Sequence, residues 1–296
     1  MKGMAKRWAA IVLLLLSFCR ALRAEEPALR DARVTDAVGQ VTLQTADNPK
    51  QPVILDDETP LEAGDAIVTG LKSNAEITFN GETVFKLQPG SHLTLQKIFL
   101  NNTQLELSQG AMLAKVKPAA TPDQSLIIKM PTAVVAIRGT EFGVETGGGV
   151  AHVGVFDEGH IAVQGAWGHE HVLLAPNQET KVTLSNVPQT PRPLAHFQAY
   201  RQQMAPLRSR AAYWHSHWKP IPPEKKQAIR QGLYSPQRKT SPGFKHPWNQ
   251  LSAKTAAHKV HRKAARTKKK KSNPTRPRHK TKPKPSKEQT LQKDGP

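Results

Sequence analysis

Hydrophobic and polar residues alternate along the chain between residues 38 and 184. Successive side chains of a β-strand point to opposite faces, so this alternation predicts strands that bury one face. Roughly fourteen such runs follow one another with no amphipathic helix between them, which is typical of an all-β domain, sandwich-like or solenoid-like. The clearest predicted strands are 38–43, 75–79, 83–87, 92–96, 103–107, 111–116, 125–130, 132–138, 141–145, 152–156, 160–164, 171–175 and 180–184.

Turn-forming residues separate several of these runs. Asn80-Gly81 predicts a two-residue hairpin turn, and the glycines at 147–149 can reach positive φ between two strands. Pro89-Gly90 and Pro176-Asn177 are further breaks in the pattern. Residues 25–190 are therefore predicted to form a single domain, which is long enough to bury a core of its own.

The hydrophobic spacing becomes helical in residues 191–219. Three arginines, Arg201, Arg208 and Arg210, accompany the apolar positions, which predicts a basic amphipathic helix that Pro206 should kink or split. Two alternatives remain for its apolar stripe: a membrane surface, or the acidic β domain of the same chain. The stripe steps by three and four residues through Phe197, Tyr200, Met204, Leu207, Ala211, Trp214 and Trp218.

Charge divides the chain into two halves, with a net charge of −9 over residues 25–190 and +24 over residues 191–296. Residues 220–296 hold few large apolar side chains, which predicts a disordered Lys/Arg/Pro-rich tail. Such a tail binds anionic polymers or lipid surfaces through counterion release. It has no Phe, Tyr or Trp in 258–287 for base stacking, so nucleic acid would be bound only non-specifically. The predicted polyanion-binding residues are Lys268, Lys269, Lys270, Lys271, Arg276 and Arg278.

The N-terminus has the order of a secretory signal. Basic residues precede an apolar run at 8–19, and Ala24 supplies a small residue for cleavage. Residues 1–24 are therefore predicted to be a signal peptide that exports the chain to the periplasm or envelope of a bacterium, with a retained anchor as the alternative. Cys19 is the one cysteine, so the mature chain would hold neither a disulfide nor a thiol nucleophile.

Four stretches between residues 61 and 182 resemble the FecR-like periplasmic domain of ferric-citrate-type regulators. Residues 61–95 contain its GD and TG pairs, and residues 130–145 contain its RGTEF signature. Residues 153–165 and 173–182 resemble its later segments in the same order. The resemblance implies an all-β module without enzymatic activity, which in those regulators relays a signal between an outer-membrane receptor and a sigma-factor control segment.

The motif residues have a structural and a functional interpretation. In the structural one, Gly139 permits a bend, Phe142 anchors the core, and Arg138 pairs with Glu141. In the functional one, Arg138 and Glu141 present an edge to a partner. The residues that carry the resemblance are Gly64, Asp65, Thr69, Gly70, Pro131, Thr132, Arg138, Gly139, Thr140, Glu141, Phe142 and Gly159.

Motifs of catalytic or cofactor chemistry are missing from the sequence. It holds no Gly-x-Ser-x-Gly, Walker loop, dinucleotide fingerprint or zincin helix. His169 and His171 would share one face of a strand near His152 and His160, but a set of four supported metal ligands is not identifiable. Residues 56–58 lack the spacing of a calcium loop. We therefore expect no enzymatic activity, metal, cofactor or small-molecule substrate.

Three functions agree with these patterns. The first is an envelope interaction protein whose β module binds a protein or glycan while the tail attaches to anionic polymers or lipids. The second is a periplasmic signalling component that couples an outer-membrane event to a regulator. The third is a cytoplasmic protein with an uncleaved N-terminus that binds nucleic acid.

Overall fold

The computed structural model describes residues 28–55, 58–121 and 124–235. The predicted signal peptide and the basic residues 268–278 lie outside the described residues. Seventeen strands, a 3₁₀ helix and two α-helices follow one another in the described chain. The helices are a 3₁₀ helix at His196–Tyr200, α1 at Arg201–His217 and α2 at Pro223–Gly232. The strands are β1 (Ala32–Val38), β2 (Val41–Gln44), β3 (Val53–Ile54), β4 (Pro60–Leu61), β5 (Ala66–Thr69), β6 (Asn74–Phe79), β7 (Thr83–Leu87), β8 (His92–Ile98), β9 (Asn102–Lys115), β10 (Ser125–Lys129), β11 (Ala133–Ile137), β12 (Glu141–Gly147), β13 (Val150–Val155), β14 (Ile161–Gly165), β15 (His171–Leu174), β16 (Gln178–Val182) and β17 (Arg192–Pro193).

These strands form two sheets that share β9. The first sheet has the order β4-β1-β6-β7-β9-β12-β13-β16-β17. The second has the order β3-β2-β5-β8-β9-β10-β11-β14-β15. Among the described strands β9 and β10 are the parallel neighbours, and the other neighbours are antiparallel. Both sheets contribute to one hydrophobic cluster, so they enclose a common core in the manner of a sandwich.

Strand β9 passes from one sheet to the other. Its first half pairs with β8 and β10, and its second half pairs with β7 and β12. Gly110 lies between the halves at φ +89°. The two sequence runs at 103–107 and 111–116 are therefore one long strand that changes sheets.

The all-β fold class predicted from the alternation is confirmed, and most runs correspond to a strand. The run at 38–43 is an exception, because Gly39 and Gln40 form a turn between β1 and β2. The predicted hairpin turns are present: Asn80 and Gly81 both have positive φ between β6 and β7, and Gly148 and Gly149 do so between β12 and β13. Alternation predicts strands well where one face is buried, and it does not show where a short run is interrupted.

The RGTEF run forms a corner where the chain crosses between the sheets. β11 belongs to the second sheet and ends at Ile137, and β12 begins in the first sheet at Glu141. Gly139 has φ +119°, and a Cβ built on it would lie 2.3 Å from Cα of Pro118. Only glycine satisfies both the backbone angle and this close approach.

The C-terminal segment, which follows β17, packs on the β body, that is, on the two sheets formed by β1 to β17. In and beside α1, Phe197, Met204, Leu207 and Trp214 are buried, so the docking alternative for the amphipathic segment is confirmed. The helix continues through Pro206 and is not split. The chain is also helical at Pro223–Gly232, where the sequence predicted a disordered tail. The difference arises because proline at the first helical position and an acid in the first turn start a helix even in a polar segment.

Candidate functional site

Two glycines on neighbouring strands form a slot for Phe197. Gly143 on β12 pairs with Gly154 on β13. A Cβ on either glycine would lie 2.6 Å from a ring carbon of Phe197. The Phe197 side chain is fully buried and also packs edge-on against Phe156, with ring centroids 6.5 Å apart. The slot fixes the start of the C-terminal segment on the first sheet.

The arginines of α1 pair with acids of the body. Arg208 Nε donates to Glu141 Oε1 at 2.5 Å, and its terminal nitrogen donates to Asp157 Oδ2 at 2.6 Å. Arg201 also donates to Asp157. Hydrogen bonding from Arg208, followed by that from Arg201, holds the pKa of Asp157 below its usual range. Since the Glu141 side chain is only 1% exposed, a buried carboxylate is neutralised by the helix.

A second buried acid, Glu76 on β6, faces the same helix. Arg210 approaches Glu76 Oε1 at 2.6 Å, but neither carboxylate oxygen has a hydrogen-bond partner among the described residues. Burial raises the pKa of Glu76 to about 7, with Asp36 adding to the rise and Arg210 and Lys86 opposing it. Burial also lowers the pKa of Lys86. At Glu76, desolvation therefore outweighs ion pairing.

The end of α1 is seated at the hairpin turn between β6 and β7. The Arg33 guanidinium lies 3.8 Å from the ring centre of Trp218, a cation–π contact. Arg33 also donates to Asp31 and to the carbonyl of Lys219, each at 2.7 Å. A Cβ on Gly81 would lie 2.5 Å from Cβ of Trp218. The turn predicted at Asn80-Gly81 therefore also accommodates the chain that leaves α1.

Helix α2 is held by an arginine on the GD motif. Arg230 donates from Nη1 and Nη2 to the two oxygens of Asp65, at 2.7 and 3.1 Å. Asp65 is fully buried and also accepts from the backbone N–H groups of Ala46 and Glu62. The Tyr234 hydroxyl lies within hydrogen-bond distance of Thr45. Arg230 Nε also lies 3.0 Å from Glu62, and Leu233 is buried in the hydrophobic cluster. Ion pairs, a hydroxyl contact and apolar packing thus tie the segment after α1 to the body.

The structure separates the two charges of the RGTEF motif. Glu141 pairs with Arg208 and with Lys115, whose Nζ lies 3.3 Å from Glu141 Oε1, and not with Arg138. The predicted Arg138–Glu141 pair is wrong because the two residues lie on opposite sides of a corner between sheets. Phe142 is fully buried, and the Thr140 hydroxyl donates to the Gly139 carbonyl at 2.6 Å. Arg138 is exposed.

The other motif residues lie at turns and strand ends. Thr69 donates to the carbonyl of Gln88 at 2.7 Å, and Thr132 donates to that of Val182 at 3.3 Å. Gly64 and Gly159 have φ of +89° and +86°. The remaining members are Gly70, whose N–H donates to Gln40, and Pro131, which is exposed. In this chain most of the motif therefore maintains the body's turns.

The histidines do not converge into a metal site within residues 28–55, 58–121 and 124–235. His152 stacks on His196, with ring centroids 4.0 Å apart, and His196 Nε2 lies 2.9 Å from Glu145. Burial lowers the pKa of His152. His171 is exposed on β15, and His169 is exposed in the preceding loop.

The residues that complete this interface were not found from the sequence. Arg208 and Arg230 neutralise the two buried motif acids. The sequence of a basic segment does not indicate which acid each arginine pairs with. A signal did exist for the slot, because a glycine inside a strand often marks the close approach of another group. Gly143 and Gly154 are such glycines.

Comparison with known proteins shows that a protein-family model matches part of this chain. The family model described as "FecR protein" matches residues 65–161. None of the curated proteins matches the chain. Two solved structures from Parabacteroides distasonis ATCC 8503, both described as those of proposed anti-sigma factors, are similar to it. The first is 17% identical with a TM-score of 0.40, and the match covers 46% of this chain and 62% of that chain. The second is 14% identical with a TM-score of 0.39, and the match covers 65% of this chain and 91% of that chain.

No helix in the described ranges is both long enough and apolar enough to span a bilayer. The family match coincides with the part of the body that runs from the buried acid of the GD motif through the RGTEF corner to the start of β14. The chain therefore carries a FecR domain, which the family match places at residues 65–161.

Proposed function

We propose that this chain is a non-enzymatic, exported protein of a bacterial envelope. Its FecR-type β body binds a protein or glycan partner, and its tail attaches it to anionic envelope polymers or lipids. The family match supports the envelope setting. The proposal rests on charge. Arginines of the segment at residues 192–230 pair with buried acids of the body, whereas the tail carries a large net positive charge.

Carboxylates of the body are neutralised by the docked segment at residues 192–230. Glu141 and Glu179 are each 1% exposed and Asp65 is fully buried, so their partners lie in a partly desolvated interface and not in free solvent. The body therefore does not need the more distal cations to balance these groups. The pairs are Arg192–Glu179, Arg201–Asp157, Arg208–Glu141, Arg210–Glu76 and Arg230–Asp65.

Most of the other cations in the C-terminal half belong to residues 236–296, which carry a net charge of +17. A chain of this charge density gains free energy from counterion release on any array of phosphates or carboxylates. In an exported protein those arrays are lipopolysaccharide phosphates, anionic lipid headgroups and acidic wall polymers. Attachment to the envelope surface follows from charge alone and requires no folded recognition site.

The partner of the β body must use a surface other than the motif acids. Glu141 and Asp65 are covered by Arg208 and Arg230 and are unavailable for an intermolecular contact.

A signalling role, in which the body couples an outer-membrane event to a regulator, is the second candidate and is favoured by the FecR match. Crosslinking in intact cells distinguishes the two candidates by the identity of the captured partner.

The attachment is tested by titrating the full chain with lipopolysaccharide, anionic vesicles and duplex DNA at two salt concentrations. Replacing residues 268–271 by Ala should weaken all three interactions and flatten their salt dependence. The matched control removes the same charge from exposed lysines of the body, at positions 50, 72, 97 and 129, and should leave binding unchanged. Equal losses in both variants, or salt-insensitive binding to one ligand alone, would contradict the proposal. Fractionation of cells tests the export.

A further inference from the structure

A pocket of about 370 Å³ opens beside the RGTEF corner. Its apolar wall includes Phe85, Leu126 and Ile137, and one rim is the chain at 117–120. Its size lies at the lower end of the range for small-molecule sites, which combine an apolar lining with a few polar groups that fix orientation. Cations outnumber anions among the charged side chains that line this pocket.

The corner holds Arg138 at the rim of this pocket. The Arg138 carbonyl accepts from the N–H of Ala119 at 2.9 Å, and Pro118 lies against Gly139. The Arg138 side chain is exposed and forms no ion pair with any residue that the structure describes. Of the two charged side chains in RGTEF, Glu141 is paired inside the fold, whereas Arg138 is accessible to a ligand.

Arg30 contributes a second cation from another direction. It donates from Nη2 to the carbonyl of Leu100 at 3.1 Å, while its buried Nε has no hydrogen-bond partner in the described part of the chain. Burial lowers the pKa of Arg30, and Glu82 opposes that change. Glu82 is engaged by Lys117 at 2.5 Å. The described lining therefore carries three cations and one anion.

We propose that this pocket binds a small organic anion, with Arg30 and Arg138 holding a carboxylate or phosphate head and the apolar wall holding a short hydrocarbon body. A buried donor without an acceptor is costly, and an incoming anion supplies the acceptor that Arg30 lacks. The inference goes beyond the proposed function because its residues belong to the body and not to the tail. It also assigns a role to Arg138, which does not pair with Glu141.

The test is a backbone amide NMR titration of the isotopically labelled full chain in moderate salt with hexanoate, hexyl phosphate and hexan-1-ol. We expect saturable shifts at residues 117, 119 and 120 and around Arg138 with at least one of the two anions and none with the alcohol. The tighter anion identifies the head group. Shifts confined to residues 258–287, or equal binding of the alcohol, would overturn the proposal.

Variants separate the pocket from the tail. Arg138→Gln should weaken binding at least tenfold, because a charge-assisted contact is lost. Ala120→Phe adds bulk at an exposed rim position without changing charge and should also weaken binding. Lys129→Gln, which removes an exposed cation outside the pocket, should bind as the parent chain does, and so should the tail variant with residues 268–271 replaced by Ala. Unchanged affinity in both pocket variants would refute the site.

Discussion

Arg230 of α2 donates two hydrogen bonds, at 2.7 and 3.1 Å, to the fully buried carboxylate of Asp65 in the FecR domain. The two residues are 165 positions apart in the chain. A residue beyond the family match thus completes the GD motif, and the domain and its C-terminal segment form one interdependent structure.

Removing this arginine should destabilise the body. Arg230→Gln leaves Asp65 as a buried carboxylate that keeps only two backbone donors, and the loss of one partner of a buried pair costs about 3 kcal/mol. Urea denaturation measures the loss as a lower midpoint. Lys225→Gln removes an exposed cation from the same helix and is the matched control. Identical midpoints for the two variants would show that the pair contributes nothing to the stability of the fold.

The slot for Phe197 predicts a non-additive pair of substitutions. Gly143→Ala should cost about 2 kcal/mol, because its Cβ would meet the Phe197 ring at 2.6 Å. In a Phe197→Ala background the same change should cost much less, since the ring is gone and only Leu113 Cδ2, at 3.3 Å, remains close to the added Cβ. Chemical denaturation of the four chains gives the coupling energy. Gly147→Ala, where no atom lies within 4 Å of the added Cβ, is the control. Additive effects would mean that Phe197 does not occupy the slot.

The buried Glu76 predicts a pH dependence of stability. Its pKa is raised from 4.5 to about 7 in the folded state. The folded state therefore binds more protons than the unfolded state between these values, and the free energy of unfolding falls as the pH rises from about 4.5 to 7. The loss is on the order of 3 kcal/mol, and it ends above the folded pKa.

Glu76→Gln removes the titrating group, so its unfolding free energy should change less over this pH range than that of the parent chain. Arg210, Lys86 and Asp36 remain in place in this variant. Glu170→Gln, an exposed loop substitution, should retain the parent's slope. If the Glu76→Gln chain shows the parent's full decline, another group is responsible for it.

The sequence was sufficient for the fold class and for the amphipathic stripe. Strands such as Thr83–Leu87 follow directly from period-two alternation, because each has one face in the core. The stripe from Phe197 to Trp218 was predicted residue by residue. The surface that covers this stripe could not be predicted, because arginines and tryptophans on a helix suit an anionic membrane as well as an acidic protein face.

Long-range pairing could not be predicted from local spacing. Arg138 and Glu141 are close in sequence, but the corner directs them to different surfaces, and Glu141 finds Arg208, 67 residues away. The helix at Pro223–Gly232 carried a start signal in its own sequence. The composition of the surrounding tail concealed that signal.

The tail should bind anionic surfaces independently of the body. The affinity for anionic vesicles is measured at one salt concentration for the full chain and for a synthetic peptide of residues 236–296. Because the acids under α1 and α2 are already paired, they should compete little for the tail, and the two affinities should agree within about threefold. A peptide that binds more than about tenfold tighter than the full chain would show that acids of the body compete for the tail and that the tail does not act independently.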